Sequence, residues 1–108
     1  MKVNILGTEY TVYMAKPPSY NKKLEGVNGY VEFFSKEIVI DDFEPDALTV
    51  NKPEELKNKV LRHEIVHAFF HESGCSEWTN DENLVEWIAI QVPKMAKAMK
   101  EAGAISDD

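Results

Sequence analysis

Leu61-Arg62-His63-Glu64-Ile65-Val66-His67-Ala68-Phe69-Phe70-His71 is the stretch around which the chain arranges itself. It contains His-Glu-x-x-His. On an α-helix, side chains four residues apart lie nearly one above the other on one face. The imidazoles of His63 and His67 can therefore grip a single tetrahedral Zn²⁺ from one side. Glu64 lies about 100° further round the helix. From there its carboxylate can take a proton from a water at the ion without displacing either ligand. All three histidines of the chain fall between positions 63 and 71. That concentration favours a built site over three unrelated histidines on a buried helix.

The flanks support a helix. Asn51-Lys52-Pro53-Glu54 reads as its start, with Asn51 as cap, Glu54 completing a capping box and Pro53 tolerated in the first turn. Apolar residues at Leu56, Val60, Leu61, Ile65, Ala68 and Phe69 carry it to Gly74, its expected stop. Apolar neighbours on both sides of the histidines make this helix the centre of the core. Such burial excludes water and fixes ligand rotamers.

Upstream, residues 2–6 alternate polar and apolar as a half-buried strand does, and Gly7 marks a turn. Thr8 to Met14 is rich in β-branched and aromatic residues and reads as a second strand. Lys16-Pro17-Pro18-Ser19 ends it, and a long polar loop runs on to Gly29. Gly29 to Phe34 and Glu37 to Asp41 form a second strand pair with Ser35-Lys36 as the turn. Ile38-Val39-Ile40 is continuously apolar and so central; Tyr30 to Phe34 is mixed and so an edge. Asp41 to Thr49 is an acidic surface connection.

Downstream, Thr79 or Asn80 can cap a further helix, with Asp81 and Glu82 in its first turn. Leu84, Val85, Ile88, Val92, Met95 and Met99 give it an apolar stripe expected in the core. Pro93 is expected to kink or break it. The order β-β-β-β-α-α predicts one α+β domain over residues 1–108, a small antiparallel or mixed sheet packed on two helices.

The bulk numbers exclude some partners. The net charge is −7 and the pI about 4.9, which argues against a nucleic acid or an anionic membrane surface. One cysteine, Cys75, permits no intrachain disulfide and fits a reducing, cytoplasmic setting. No apolar run approaches the ~18 residues of a spanning helix, and residues 1–9 lack the apolar core of a signal peptide.

A catalytic zinc site needs a third protein ligand. The candidates are His71, Cys75, Glu82 and Glu86. His71 continues the same rigid helix, which cannot wrap three such residues round one ion. It is kept instead as a possible oxyanion donor beside Tyr30 and Tyr20. Cys75 reads as a bystander. Glu82 and Glu86 share a face of the next helix, so one can bind the metal while the other holds the far nitrogen of a ligating histidine. Height along antiparallel helices favours Glu86, and the connector length leaves the choice open.

His63-Glu64-Ile65-Val66-His67 followed by Glu82-Asn83-Leu84-Val85-Glu86 resembles the Glu-zincin layout. More closely, the chain resembles the small phage and prophage metallopeptidases of the ImmA/IrrE-like group. The likeness runs through Val3 to Tyr10, Ile38 to Asp41, Leu61 to Glu64, Glu72-Ser73-Gly74 and Glu86 to Lys94. It departs at Asn83-Leu84, where the broader family has Ala-Asn. The resemblance implies a minimal zincin-like fold. It also implies that the third ligand is the glutamate eleven residues before Pro93, which is Glu82, with Glu86 behind a histidine.

Two functions follow as expectations. One is a zinc metallopeptidase acting on a peptide or protein, with Zn²⁺ on His63, His67 and Glu82 and with Glu64 as the base. Its substrate would lie along the Tyr30–Phe34 edge by strand addition. The resemblance narrows that substrate to a specific protein such as a mobile-element repressor. The other is a non-catalytic, metal-stabilised module that binds a partner protein.

Overall fold

Strands β1 (Lys2–Ile5) and β2 (Thr8–Ala15) form the expected first hairpin. Ile5 pairs with Thr8, so Leu6-Gly7 is a two-residue turn, with φ of +51° and +91°. Positive φ at both positions suits the twist of paired strands, but only Gly7 adopts it without a steric penalty. The Asn4 side chain accepts from the Gly7 N–H at 2.9 Å and holds the turn closed. The computed structural model describes residues 1–15, 28–42 and 53–106. The expected loop after β2, most of the acidic connection after Asp41, the Asn51 cap and Tyr20 lie outside those residues.

Strands β3 (Gly29–Glu32) and β4 (Glu37–Asp41) pair antiparallel across a turn at 33–36, wider than Ser35-Lys36 alone. The sheet order is β1-β2-β4-β3, and β2 runs parallel to β4. The sheet is therefore mixed, with the apolar β4 inside and β3 at an edge, as the sequence indicates. Ile38 and Ile40 join Ile5, Tyr10 and Val12 under Val60 and Ala68 of α1 (Pro53–Glu72). Val39 points the other way and is covered by Tyr30. Gly29 permits this packing. A Cβ there would stand 3.0 Å from both the Val39 carbonyl oxygen and the Val60 side chain, so a larger residue would make these neighbours give way by a few tenths of an ångström.

Helix α1 ends as expected at Gly74, which takes φ +82°. Cys75 N–H donates to the Phe70 carbonyl at 2.8 Å and Gly74 N–H to that of His71 at 3.2 Å. This pair of bonds satisfies carbonyls that the helix end would otherwise leave open. Glu72 sits in the last turn, where the helix dipole disfavours an anion. Three donors from the sheet side offset that cost: Thr8 Oγ1 at 2.9 Å, Tyr10 Oη at 2.6 Å and Lys36 Nζ at 2.9 Å. Together they hold Glu72 down to about 2, against an ordinary 4.5, with Lys36 the largest cause. Burial, and then Glu72, push the Tyr10 hydroxyl upward, so it stays a donor.

Beyond Gly74 the helical order departs from expectation. A short helix α2 (Ser76–Thr79) intervenes before α3 (Glu82–Glu101). Neither Thr79 nor Asn80 caps α3. Asp81 does, its carboxylate accepting from the Leu84 N–H at 3.1 Å. Pro93 does not break α3, which runs through it. A proline removes the donor for the carbonyl four residues back, here that of Ala89. Arg62 Nε on α1 supplies the missing bond, donating to the Ala89 carbonyl at 2.7 Å.

The apolar stripe of α3 also needs correction. Val85 and Ala89 are buried against α1, but Met95 and Met99 are 39% and 44% exposed. Past Ala96 no residue of α3 is even half-buried. Helical spacing marks a face without saying how far along the helix a neighbour extends. Among the described residues, no helix is long and apolar enough to cross a membrane.

Candidate metal centre

His63 and His67 rise from consecutive turns of α1, their rings edge-on with centroids 4.9 Å apart. Glu82, the first residue of α3, lays its carboxylate across both. Its Oε2 is 2.9 Å from His63 Nε2 and its Oε1 is 2.9 Å from His67 Nε2. One ligand atom from each of the three residues falls within 4.8 Å of the others. The far nitrogens are also engaged. His63 Nδ1 lies 3.0 Å from Glu86 Oε1, and Lys59 Nζ donates to Glu86 Oε2 at 3.2 Å. His67 Nδ1 lies 2.9 Å from Thr79 Oγ1, and that hydroxyl donates to the His67 carbonyl at 3.2 Å.

The local folding explains which carboxylate goes where. Helix α2 takes up most of the connector, and the Asp81 cap starts α3 immediately after it. The first turn of α3 therefore meets both Nε2 atoms. The second turn, carrying Glu86, reaches the other nitrogen of His63. Height along the helices favours Glu86 only while the connector length is open; α2 fixes that length and brings Glu82 to the two Nε2 atoms.

Glu64 lines the same cleft and is only 7% exposed. Burial pushes its carboxyl up to about 7; His63 opposes the shift, and Glu82 and Glu86 add to it. Burial lowers the His67 pKa, with Glu82 opposing and His63 assisting, and so favours the neutral imidazole that a metal needs. Burial works to raise Glu86, but the His63 ring and Lys59 hold it below its ordinary value. The donor set fits a divalent ion. Two imidazole nitrogens and one carboxylate converge, as in catalytic sites with His₂Glu ligation. Each ring is braced through its other nitrogen, the usual support for a ligating histidine.

The cleft holds about 540 Å³. Asn28, Gly29, Tyr30 and Val31 line it consecutively, together with Phe33, Val60 and Asn80. Successive strand residues point to opposite faces, so a consecutive lining means that β3 presents its edge. Of the other sequence candidates, Tyr30 lines the cleft and also packs on Val39, whereas His71 and Cys75 fall outside the lining. His71 stacks flat on Phe33, at 4.2 Å and 10°, and does not itself line the cleft. Cys75 is a half-buried free thiol at the start of α2, outside the metal-ligand group.

Two residues at the site escaped the sequence reading. Lys59 had a usable signal, since it lies four before His63 and so on the same helix face. Thr79 had none beyond being polar, because its contact depends on the turn that α2 makes. No family model, curated protein or solved structure matches the chain.

Proposed function

We propose that the chain is a zinc-dependent metallopeptidase with His63, His67 and Glu82 as metal ligands and Glu64 as general base. The single observation that carries this reading is the Glu82 carboxylate, 2.9 Å from both Nε2 atoms, with Glu64 buried in the same cleft. A divalent ion on these three groups supplies a Lewis acid that acidifies water and polarises a carbonyl. Glu64 takes the proton of the attacking water and passes it to the departing amine. Glu86 and Thr79 keep the histidine rings in place during that exchange.

The substrate is an extended peptide that adds to the outer edge of β3. Gly29 keeps that edge close against α1. The resemblance to ImmA/IrrE-like metallopeptidases favours one intracellular protein, such as a mobile-element repressor, over general digestion.

The test is cleavage of a peptide library by the zinc-loaded protein, read by mass spectrometry, beside Glu64→Gln. The amide is nearly isosteric and is no base at neutral pH. The variant is expected to keep its fold and its zinc and to lose about 10²–10⁴ in rate. Hydrolysis by Glu64→Gln at the wild-type rate would refute the role. A wild type that binds zinc yet cleaves nothing would favour the protein-binding module.

A further inference from the structure

Thr79 ends α2 and is 8% exposed, with its hydroxyl turned onto His67. A threonine hydroxyl has one proton to give. The His67 carbonyl oxygen, 3.2 Å away, can only accept, so that proton is committed there. The contact at 2.9 Å between Oγ1 and His67 Nδ1 then needs the proton of the ring. Nδ1 therefore stays protonated, and once a cation replaces the Nε2 proton that here meets the Glu82 carboxylate at 2.9 Å, Nε2 carries the lone pair.

We infer that Thr79 is a positioning residue of the metal centre: its hydroxyl sets the tautomer and orientation of His67 so that Nε2 is presented as a ligand. The inference rests on the metal-centre reading above and extends it to a residue outside the motif. The two histidines are held by different means. His63 leans on a carboxylate that is 40% exposed and shared with Lys59. His67 leans on a buried neutral hydroxyl. A hydroxyl braces the ring without adding charge beside a centre that already holds the carboxylates of Glu64 and Glu82.

The short helix α2 has a purpose in this light. The Trp78 N–H bonds the Cys75 carbonyl at 3.0 Å and the Thr79 N–H bonds the same carbonyl at 3.3 Å, closing a single turn. The Trp78 ring meets Phe70 of α1 edge-on, with centroids 5.6 Å apart. The turn is thereby clamped to α1 one residue before Thr79. Without it, a connector would have no fixed hydroxyl to offer.

The experiment is a Zn²⁺ titration against a competing chelator on wild type, Thr79→Val and Thr79→Ser, with circular dichroism to confirm folding. Valine keeps the shape and removes the hydroxyl; serine keeps the hydroxyl. Thr79→Val is expected to weaken zinc binding about 10–100-fold, as loss of a ligand's hydrogen-bond partner does, and Thr79→Ser to stay within about threefold of wild type. Thr79→Val binding as wild type would overturn the inference, and so would equal losses in both variants, which would mark a packing effect. A folded wild type that takes up no zinc would remove the metal-centre reading itself. Nitrogen-15 NMR of the imidazoles gives an independent readout that survives any folding failure of Thr79→Val. In zinc-free wild type at neutral pH, Nδ1 of His67 is expected to be protonated, with or without a second proton on Nε2 against Glu82. A proton on Nε2 alone would overturn the inference.

Discussion

Glu82 and Glu86 stand one turn apart on α3 yet touch opposite nitrogens of the His63 ring. That division makes their replacements unequal. Glu82→Ala is expected to abolish tight zinc binding, because it removes a ligand. Glu86→Ala should weaken binding by only about 10–100-fold, because it removes a brace. A chelator-competition titration, with folding checked alongside, decides between them. Equal losses, or a larger loss in Glu86→Ala, would contradict the assignment. At this scale the motif residues were legible in the sequence because helical spacing alone fixes how His63, Glu64 and His67 stand to one another. Helical spacing made Glu82 and Glu86 legible as a pair, and only the family resemblance put Glu82 at the ligand position and Glu86 behind a histidine. Helix geometry alone could not separate them, because their places depend on where α3 starts.

Among the elements, α1 carries the site on its cleft side and is pinned to the sheet through Glu72. The Glu72 carboxyl is held at about 2 in the folded chain, below its ordinary 4.5. Its contribution to stability is thus present above pH 4.5 and is lost as the pH falls from there through about 2. Denaturant titrations across that window should show wild type losing stability and Glu72→Gln, weaker at neutral pH, losing less over the same range. Parallel curves for the two proteins would mean that the three bonds to Glu72 add nothing. The first strand and α3 were legible from apolar period, β2 and β4 from composition, and α1 from its motif with start and stop signals on either side. Helix α2 was not, since four residues have no period. The continuity of α3 through Pro93 was not legible either. It depends on Arg62, 31 positions earlier in the sequence, reaching the carbonyl that Pro93 leaves open.

In the whole molecule, the mixed sheet lies against α1, and α2 and α3 pack on α1 in turn. The cleft runs between the β3 edge and the start of α3, so the proposed ligands come from two helices that only the complete fold brings together. The stripe on the second half of α3 shows the limit of sequence reading at this scale. Val92, Met95 and Met99 follow the helical period, but they stay 42%, 39% and 44% exposed and join no core cluster among the described residues. The central claim is that this fold assembles one metal centre from His63, His67 and Glu82. The measurement that tests it most directly is the zinc content of the folded protein, by elemental analysis after dialysis against dilute zinc, for wild type and His67→Ala. The expected result is about one ion per wild-type chain and close to none in the folded variant. A folded wild type with close to none, or a variant that retains the full complement, would contradict the account.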